Sequence, residues 1–468
     1  MSKYKYLIKN LGLFTLSSVS TKLITFFLLP LYTYYLTTEE YGTTDLVNTT
    51  VQLFFPILTL SIIEAVLRFA LDRNENKKNV FSIGLCITVF SSLIMLSISP
   101  LLGFIPGLEN CKLFLCGVYI VTAFNSLFST FARTIDQVKI IAVASIISTL
   151  ITCGLNILLI SYFHLGLDGY FWSLIFGNLI GCILYFIWGR YYRYISYRHV
   201  DKALLKRMLL YCIPMIPNAL FWWANSSINR YFLTAMVSVG AVGLFAAASK
   251  VPSMLNMITS IFQQAWSVSA IQEYQSEGSS KFFSRIYEVY HLCILAASCF
   301  LILFSKWIGL LLFQKEFYEA WIFVPWLVLG FYYSALNTFY GTIYTASKKT
   351  KFLFTTTILG TIIGVIFNLI LIPFWSVTGA SIATCISHFV VWIARVMDSK
   401  KILRVYVDQK RMVSSQIGLF ILVLLISQQI SYSFYLGFAL CIVIAVINMR
   451  SVISLGRLVI KRFRGKAA

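Results

Sequence analysis

Two stretches of the chain resemble each other. Residues 139–160 read KIIAVASIISTLITCGLNILLI, and residues 351–372 read KFLFTTTILGTIIGVIFNLILI. Each stretch starts with a lysine and continues with apolar or small residues for about 20 positions, the length that a helix needs to cross a bilayer. Each also has an asparagine at the same place, Asn156 and Asn368. The two stretches therefore predict transmembrane helices at equivalent positions of an internal repeat.

Similar apolar stretches recur along nearly the whole chain of 468 residues, of which 59% are hydrophobic and 12% are charged. A soluble protein of this length cannot bury so much apolar surface. We therefore predict an all-α integral membrane protein with about fourteen transmembrane helices. The predicted spans are residues 11–36, 43–70, 80–104, 111–132, 140–163, 168–189, 208–234, 239–262, 286–304, 320–346, 352–375, 378–394, 412–430 and 432–449.

The positions of the basic residues give an independent test of these spans. If the N-terminus is cytoplasmic, 32 of the 38 Lys and Arg residues lie in cytoplasmic segments, and only Lys112, Lys306 and Lys315 lie outside. This asymmetry is typical of multi-pass proteins. It predicts that the N- and C-termini are cytoplasmic. The net charge of +21 then faces anionic lipids, so we expect no nucleic-acid partner.

A second repeated pairing supports a two-lobe organisation. Residues 35–37 (YLT) parallel residues 232–234 (FLT), and Pro56 parallels Pro252. A proline inside a helix removes a backbone hydrogen bond, so both helices should be kinked. We predict an N-terminal six-helix lobe (1–190), a basic cytoplasmic linker (191–207), a second six-helix lobe (208–398), and helices 13 and 14 with a basic tail (399–468). Secondary transporters are often built from such repeats around a central cavity.

Three basic residues, Lys22, Arg230 and Lys250, lie within predicted spans. A charge at mid-membrane costs about 2.5–3.5 kcal/mol on insertion scales, so such residues usually face protein, water or a ligand. One interpretation is a cationic cavity that holds an anionic substrate. The other is that the three residues snorkel to an interface or form ion pairs inside the bundle, with Asp45, Glu64 or Glu288 as partners.

Other polar residues are candidates for coupling, gating or glycan contact. The candidates for coupling or gating are Asp45, Glu64, Arg68, Arg133, Asp136 and His291. Simpler interpretations exist: Glu64 and Arg68 are spaced for an i,i+4 ion pair, and His291 has the position of a packed, hydrogen-bonded side chain. Trp222 and Trp223 lie deep in a predicted span, where they could line a sugar path or pack against lipid.

Several chemical motifs are absent from the sequence. There is no GxxxxGK[ST] phosphate loop, no HExxH zinc motif and no closely spaced acidic pair for a nucleotide-sugar metal site. The predicted outer loops are short, with few groups for acid–base chemistry. We expect neither an enzyme nor a bound metal or cofactor. This pattern argues against a membrane glycosyltransferase or a polysaccharide polymerase, which remains the alternative from another functional class.

One segment resembles a known family. Residues 29–33 (LPLYT), followed by residues 35–42 (YLTTEEYG), resemble the first-helix signature of Wzx-type oligosaccharide flippases. The predicted two-lobe layout is similar to that of the MOP superfamily, which also holds lipid II flippases and MATE multidrug extruders. The resemblance implies a MATE-like fold and translocation of an undecaprenyl-pyrophosphate-linked oligosaccharide, used for O-antigen, capsule or a related surface glycan.

The resemblance also implies a mechanism. Family members use a basic central cavity and alternating access, with ion or proton coupling, and Lys22 and Lys250 are the positions that fit; Arg230 is a further candidate. The expected partners are the lipid-linked oligosaccharide and membrane lipids, with a glycan polymerase and glycosyltransferases as further candidates, and we expect a monomer. The alternative within the superfamily is a cation-coupled multidrug extruder, which would need a carboxylate in its cavity, whereas this interior looks basic.

Overall fold

The computed structural model describes residues 26–72, 74–195, 201–274, 276–349, 351–428 and 432–464, and within these ranges the regular structure is helical, with no β-strand. The helices are α1 (Leu29–Tyr35), α2 (Thr38–Leu58), α3 (Ile62–Ala70), α4 (Lys77–Leu102), α5 (Lys112–Thr134), α6 (Val138–Asn156), α7 (Gly166–Trp188), α8 (Lys202–Cys212), α9 (Ile216–Met236), α10 (Val239–Lys250), α11 (Ser253–Glu273), α12 (Ser279–Leu303), α13 (Ser305–Leu312), α14 (Val324–Ala346), α15 (Lys351–Ser399), α16 (Gln409–Ser427) and α17 (Ser433–Arg464). Helix α6 continues as a π-helix, Ile157–Tyr162, and short 3-10 turns occupy Tyr191–Tyr194, Ile213–Met215 and Lys315–Ile322.

The apolar helices confirm a multi-pass membrane protein. Among the described residues, eight helices are long and apolar enough to cross a bilayer, and the number rises to eleven if each of three bent helix pairs is one span. The predicted count of fourteen is not confirmed. Three features account for the difference between fourteen and eleven. Most of the predicted span 11–36 lies outside the described residues, and the helix Ser433–Met449 is shorter than the others. In addition, α15 joins two predicted spans across non-helical Ser376.

The two prolines of the repeat lie beside breaks in their helices, as predicted. Pro56 lies in the last turn of α2, and Leu60 and Ser61 adopt left-handed backbone angles (φ 53° for both) before α3 begins. The axes of α2 and α3 differ by 59°. Pro252 lies between α10 and α11, whose axes differ by 45°. Because proline has no backbone N–H, it removes one helical hydrogen bond and favours such breaks.

The chain divides into two compact units, Met1–Ala246 and Ala247–Ala468. This boundary falls within α10 and not in the basic segment 191–207, so the predicted six-helix lobes remain a prediction based on the sequence repeat. In the N-terminal unit, aromatic rings form part of the core. The ring centroids of Phe81 and Phe131 are 4.4 Å apart, and buried Tyr191 packs against Phe81 while its hydroxyl donates to the Phe128 carbonyl (2.9 Å).

In the C-terminal unit, aromatic stacking joins α11, α12 and α14. Phe262 stacks on Tyr290 with ring centroids 4.2 Å apart, and Trp266 stacks on Phe339 at 5.1 Å. Aromatic pairs in this distance range contribute about 0.5–1.5 kcal/mol beyond their burial. The core of this unit therefore holds α11 and α12 against the long, almost fully buried helix α14.

Arg395 corrects one detail of the predicted topology. We expected it in a cytoplasmic segment beyond the span 378–394, but α15 continues to Ser399 and Arg395 is buried. Its Nε donates to the Thr356 hydroxyl (3.1 Å) and its Nη1 donates to the Asn337 carbonyl (2.8 Å). Hydrogen bonds to α14 and to the part of α15 before Ser376 thus satisfy a charge that the sequence pattern assigned to water.

Two glycines bring the starts of α2 and α10 into backbone contact. A Cβ atom at Gly42 would overlap with the Val239 carbonyl oxygen, and one at Gly243 would overlap with the Thr38 carbonyl oxygen. Both clashes involve backbone atoms, which cannot move aside as a flexible side chain can. Small residues at helix crossings of membrane proteins allow this close approach. The two glycines therefore determine how near α10 lies to α2.

We predict that Gly42→Ala and Gly243→Ala each destabilise the protein by about 1–3 kcal/mol, because the added methyl group forces the two helices apart. Thermal unfolding in detergent, followed by loss of the monodisperse peak in size-exclusion chromatography, measures the effect. The matched control is Gly154→Ala in α6, where a Cβ would meet no atom within 4 Å. Equal melting temperatures for all three variants would contradict a packing role for Gly42 and Gly243.

Candidate functional site

Helix α2 presents polar side chains along one face. Its N-terminus is fixed by a capping box: the Thr37 hydroxyl accepts from the Glu40 amide (3.1 Å), and the Glu40 carboxylate accepts from the Thr37 amide (2.8 Å). Asp45, Asn48 and Gln52 then follow at spacings of three and four residues. Residues so spaced lie on the same side of a helix. The capped helix therefore carries a polar stripe into an apolar span.

An ion pair joins this stripe to α9. Arg230 Nε lies 2.7 Å from Asp45 Oδ2, and the side chains are 15% and 19% exposed, respectively. Arg230 Nη1 also donates to the Ser226 carbonyl (2.8 Å), and its guanidinium carbon lies 5.5 Å from the centroid of the Phe245 ring. For Arg230, the structure thus shows the ion pair that was one of the two interpretations from the sequence. Its charge is balanced by Asp45.

Three further hydrogen bonds fix α2 against its neighbours. The Trp223 indole donates to the Thr49 carbonyl (2.9 Å), and the hydroxyls of Thr50 and Tyr231 are 2.7 Å apart. The Asn48 amide donates to the Tyr170 hydroxyl of α7 (3.2 Å). Polar contacts therefore link α2 to α7 and to α9. Trp223 contributes to the contact with α9 through its indole nitrogen.

Not every polar group of this region is satisfied. Gln52 is exposed and has no hydrogen-bond partner among the described residues. Ser226 is exposed as well, with its hydroxyl donating to the Trp222 carbonyl (3.1 Å), and Trp222 is 51% exposed. An unsatisfied amide in hydrocarbon costs several kcal/mol. The surface formed by Asp45, Gln52, Trp222, Ser226 and Arg230, named here the α2–α9 polar face, is therefore suited to water or a polar ligand.

The predicted cationic cavity depends on two lysines, Lys22 and Lys250. Lys22 lies outside the described residues. Lys250 is the last residue of α10 and is half-buried, next to the break at Pro252. A cation in the last turn of a helix interacts favourably with the helix dipole, which is a structural reason for a lysine there. A substrate role for Lys22 and Lys250 stays a prediction.

The other candidates lie apart from the polar face along the chain. Glu64 and Arg68 are both exposed on α3, and the expected ion pair between them is not formed. Arg133 is in the last turn of α5, and Asp136, with φ of 59°, lies in the turn that follows. Both are exposed, and their proposed gating role is an untested prediction.

His291 and Glu288 belong to the C-terminal unit. His291 is buried, and its Nε2 lies 2.8 Å from the Tyr332 hydroxyl, the packed and hydrogen-bonded environment that the simpler interpretation expected. Glu288 pairs with Arg411 at 2.7 Å, although the sequence had offered it as a partner for the basic residues of the spans. Among the described residues, no group of three or more His, Cys, Asp or Glu side chains could hold a metal ion.

The sequence candidates include three members of the polar face, Asp45, Trp222 and Arg230, and omit Gln52 and Ser226. They also omit Asn48 and Thr49, although the run TTDLVNTTVQ at residues 43–52 is unusually polar for a span. These four residues carry no charge, and the signal that points to those in α2 is the spacing of neutral polar residues along the helix. Its contacts with α9 connect residues more than 170 positions apart, beyond the reach of a local pattern.

Comparison with known proteins places the chain. The family described as "Polysaccharide biosynthesis protein" matches residues 7–268, which is more than half of the sequence. The chain belongs to the polysaccharide biosynthesis protein family. A search of curated proteins found no match to this sequence. The family match confirms the predicted family.

Solved structures show the fold of this polysaccharide biosynthesis protein. It is similar to the lipid II flippase MurJ in an inward closed conformation, with a TM-score of 0.70 and 14% identity over 96% of this chain and 99% of that one. It is also similar to a MATE multidrug transporter of the MOP superfamily in an inward-facing conformation, with a TM-score of 0.67 and 14% identity over 83% and 98%. A MATE transporter of the MOP superfamily in an outward-facing conformation is similar as well, with a TM-score of 0.60 and 15% identity over 84% of this chain and 95% of that one. The predicted MATE-like fold is confirmed.

We predict that Asp45→Asn and Arg230→Gln each lower the stability of the polysaccharide biosynthesis protein by about 3 kcal/mol, because each leaves a largely buried charge without its partner. The swapped variant, Asp45→Arg with Arg230→Asp, should recover part of the loss. Melting temperatures in detergent measure all three. Glu64→Gln is the matched control, since it removes an exposed carboxylate of α3. If Asp45→Asn has the same melting temperature as this control, the ion pair between Asp45 and Arg230 contributes no stability.

Proposed function

We propose that this protein is a flippase that moves an undecaprenyl-pyrophosphate-linked oligosaccharide across the cytoplasmic membrane of a bacterium. The observation that carries the proposal is the α2–α9 polar face, which lies on apolar spans of a chain from the polysaccharide biosynthesis family. A lipid transporter for sugars needs polar groups at membrane depth, because the sugars cannot enter hydrocarbon without hydrogen-bond partners.

The chemistry of the polar face suits a glycan. Gln52 offers an amide donor and acceptor, Ser226 offers a hydroxyl, and Trp222 offers an exposed ring. Tryptophan combines an apolar face with a polar edge, as sugars do. In this proposal the sugars contact the polar face while the polyprenyl tail stays in lipid. The Asp45–Arg230 pair holds α9 in place beside α2.

The pyrophosphate needs positive charge. We propose Lys22 and Lys250 for this contact, as the family resemblance implies. Lysine binds phosphate as a point charge, without the bidentate geometry of arginine. Arg230 is a secondary candidate, because its Nε and Nη1 already donate to Asp45 and to Ser226. It would reach a phosphate only by exchanging one of these contacts.

Alternating access completes the proposal. The protein opens to the cytoplasm, receives the lipid-linked sugar, and then opens to the outer face, with an ion or proton gradient resetting the cycle. The broken helices support such motion, since α2–α3 and α10–α11 each consist of two straight segments joined at a bend. Short joints of this kind can absorb backbone rotation while the segments stay rigid. Asp45, Glu64, Arg68, Arg133, Asp136 and His291 remain the candidates for coupling or gating.

Removal of the gene from its host tests the proposal directly. A strain without the flippase should lose the surface polysaccharide and accumulate the complete lipid-linked oligosaccharide on the cytoplasmic leaflet. Extraction and mass spectrometry of the lipid-linked sugars measure this. A strain that makes no complete unit would indicate a glycosyltransferase instead. One that exports single unpolymerised units would indicate a polymerase.

We predict that Lys250→Ala reduces export of the glycan roughly 10- to 100-fold, because a charged hydrogen bond to phosphate contributes about 1.5–3 kcal/mol. Surface glycan in the complemented deletion strain, at equal protein level, gives the readout. Lys281→Ala is the matched control, an exposed lysine at the start of α12. Normal export by Lys250→Ala would remove Lys250 from the substrate site.

The multidrug alternative has its own test. A cation-coupled extruder shares the fold, so the fold alone does not separate the two functions. Proteoliposomes with the purified protein should move a fluorescent lipid-linked oligosaccharide between leaflets and should leave the cationic dye ethidium untransported under an imposed ion gradient. Transport of ethidium without movement of the lipid would reverse the assignment.

A further inference from the structure

A recess of about 310 Å³ lies in the C-terminal unit, where α15 ends and α16 begins. Its wall includes Lys400 at the end of α15, Arg404 and Tyr406 in the connecting segment, Gln409 in α16, and buried Tyr340 from α14. None of these residues belongs to the α2–α9 polar face or to the proposed pyrophosphate contact. The recess therefore has no part in the function proposed above.

The recess is formed by a segment that is held in place. The Ser280 hydroxyl of α12 donates to the Arg404 carbonyl, and the Ser284 hydroxyl accepts from the Tyr406 amide (2.7 Å). Asp408 then caps α16 by accepting from the Arg411 amide (3.2 Å). Contacts at three points along 404–408 position the backbone that carries Arg404. The recess is thus a built feature of this end of the unit.

The charge of the recess is unbalanced. Two of its lining residues, Lys400 and Arg404, are basic and none is acidic. Neither forms an ion pair within the described part of the chain, although both are exposed. Along the chain, the carboxylate nearest to Lys400 is Asp398, which is engaged by Lys401 (3.4 Å) and by the Tyr344 hydroxyl (3.3 Å). The carboxylate nearest to Arg404 is Asp408, which accepts from the Arg411 amide. The recess therefore presents two positive charges that no ion pair among the described residues compensates.

Apart from Lys400, Arg404, Ser399 and Gln409, the wall is apolar or aromatic, and it lies at the end of two spans. Val396, Val405, Val407 and Met412 line it beside the two cations. Tyr406 is 68% exposed at its rim, in the manner of aromatic residues at membrane–water interfaces. The positive-inside pattern assigns this end to the cytoplasmic face. A ligand that fits must combine a negative charge with an apolar part, at the level of the lipid headgroups.

We propose that this recess binds the headgroup of an anionic phospholipid of the cytoplasmic leaflet. The phosphate lies between Lys400 and Arg404, and the glycerol and first acyl carbons lie against Val396, Val405, Val407 and Met412. Basic pockets between membrane helices on the cytoplasmic side recognise such headgroups through charge, and their neighbouring apolar side chains contact the lipid body. A bound lipid joins the end of α15 to the start of α16.

Lipid titration of the full-length protein tests this. Native mass spectrometry in detergent, with phosphatidylglycerol and with phosphatidylcholine, should show tighter binding of the anionic lipid. The double variant Lys400→Gln/Arg404→Gln should weaken binding of phosphatidylglycerol roughly 30-fold and leave binding of phosphatidylcholine unchanged. The charge-preserving variant Lys400→Arg/Arg404→Lys should retain most of the affinity.

The controls separate this site from a general charge effect. Lys206→Gln/Lys349→Gln removes two exposed lysines outside the recess and should bind phosphatidylglycerol as the unmodified protein does. An equal loss in both double variants would overturn the proposal. Inorganic phosphate is the second arm: if it displaces phosphatidylglycerol at comparable concentration from the unmodified protein, the recess binds a soluble anion and the lipid assignment is wrong.

Discussion

Hydrocarbon offers no hydrogen-bond partner to a polar side chain, and this constraint decides where the charged residues of the spans lie. Arg395 is buried in α15 and donates to Thr356 and to the Asn337 carbonyl. His291 meets the Tyr332 hydroxyl in the same way. Both groups are hydrogen-bonded to α14, and Arg395 also to the part of α15 before Ser376, so the same contacts that satisfy these polar groups hold the helical segments together. A charged side chain in a span is therefore evidence of a partner first, and of function only when a group remains exposed.

The α2–α9 polar face is distinguished by that second condition. Asp45 and Arg230 satisfy each other, and their pairing holds the two helices at a fixed separation. Gln52, Ser226 and Trp222 stay exposed beside them. The satisfied pair supplies a rigid frame, and the exposed neutral groups supply contact sites that can be exchanged between water and a ligand. For the sugar substrate of the proposed function, neutral groups are suitable because they bind without the strong attraction that would hinder release.

Close helix contact and broken helices place this face on a structure with both rigid and adjustable parts. Gly42 and Gly243 bring α2 and α10 to backbone distance, so little freedom remains where these helices cross. The left-handed residues Leu60 and Ser61 separate α2 from α3, and a similar break follows α10. The packed crossing holds one end of each broken helix, while the joint lies at the other end. Rotation at such joints leaves the hydrogen bonds within each segment intact.

The sequence alone determined the class, the family and the kinks of this protein. Bilayer thickness sets the length of a span, so a local stretch such as residues 351–372 reports it directly. Pro56 and Pro252 marked the breaks because the missing backbone donor is a property of the residue itself. Tertiary structure decided the pairings: Asp45 and Arg230 are 185 positions apart, Arg395 is buried where the charge pattern assigned it to water, and the adjacent-turn spacing of Glu64 and Arg68 did not produce contact. The reason is physical. Hydropathy and proline chemistry act within a few residues, whereas an ion pair depends on which helices pack together and on which faces they turn toward each other.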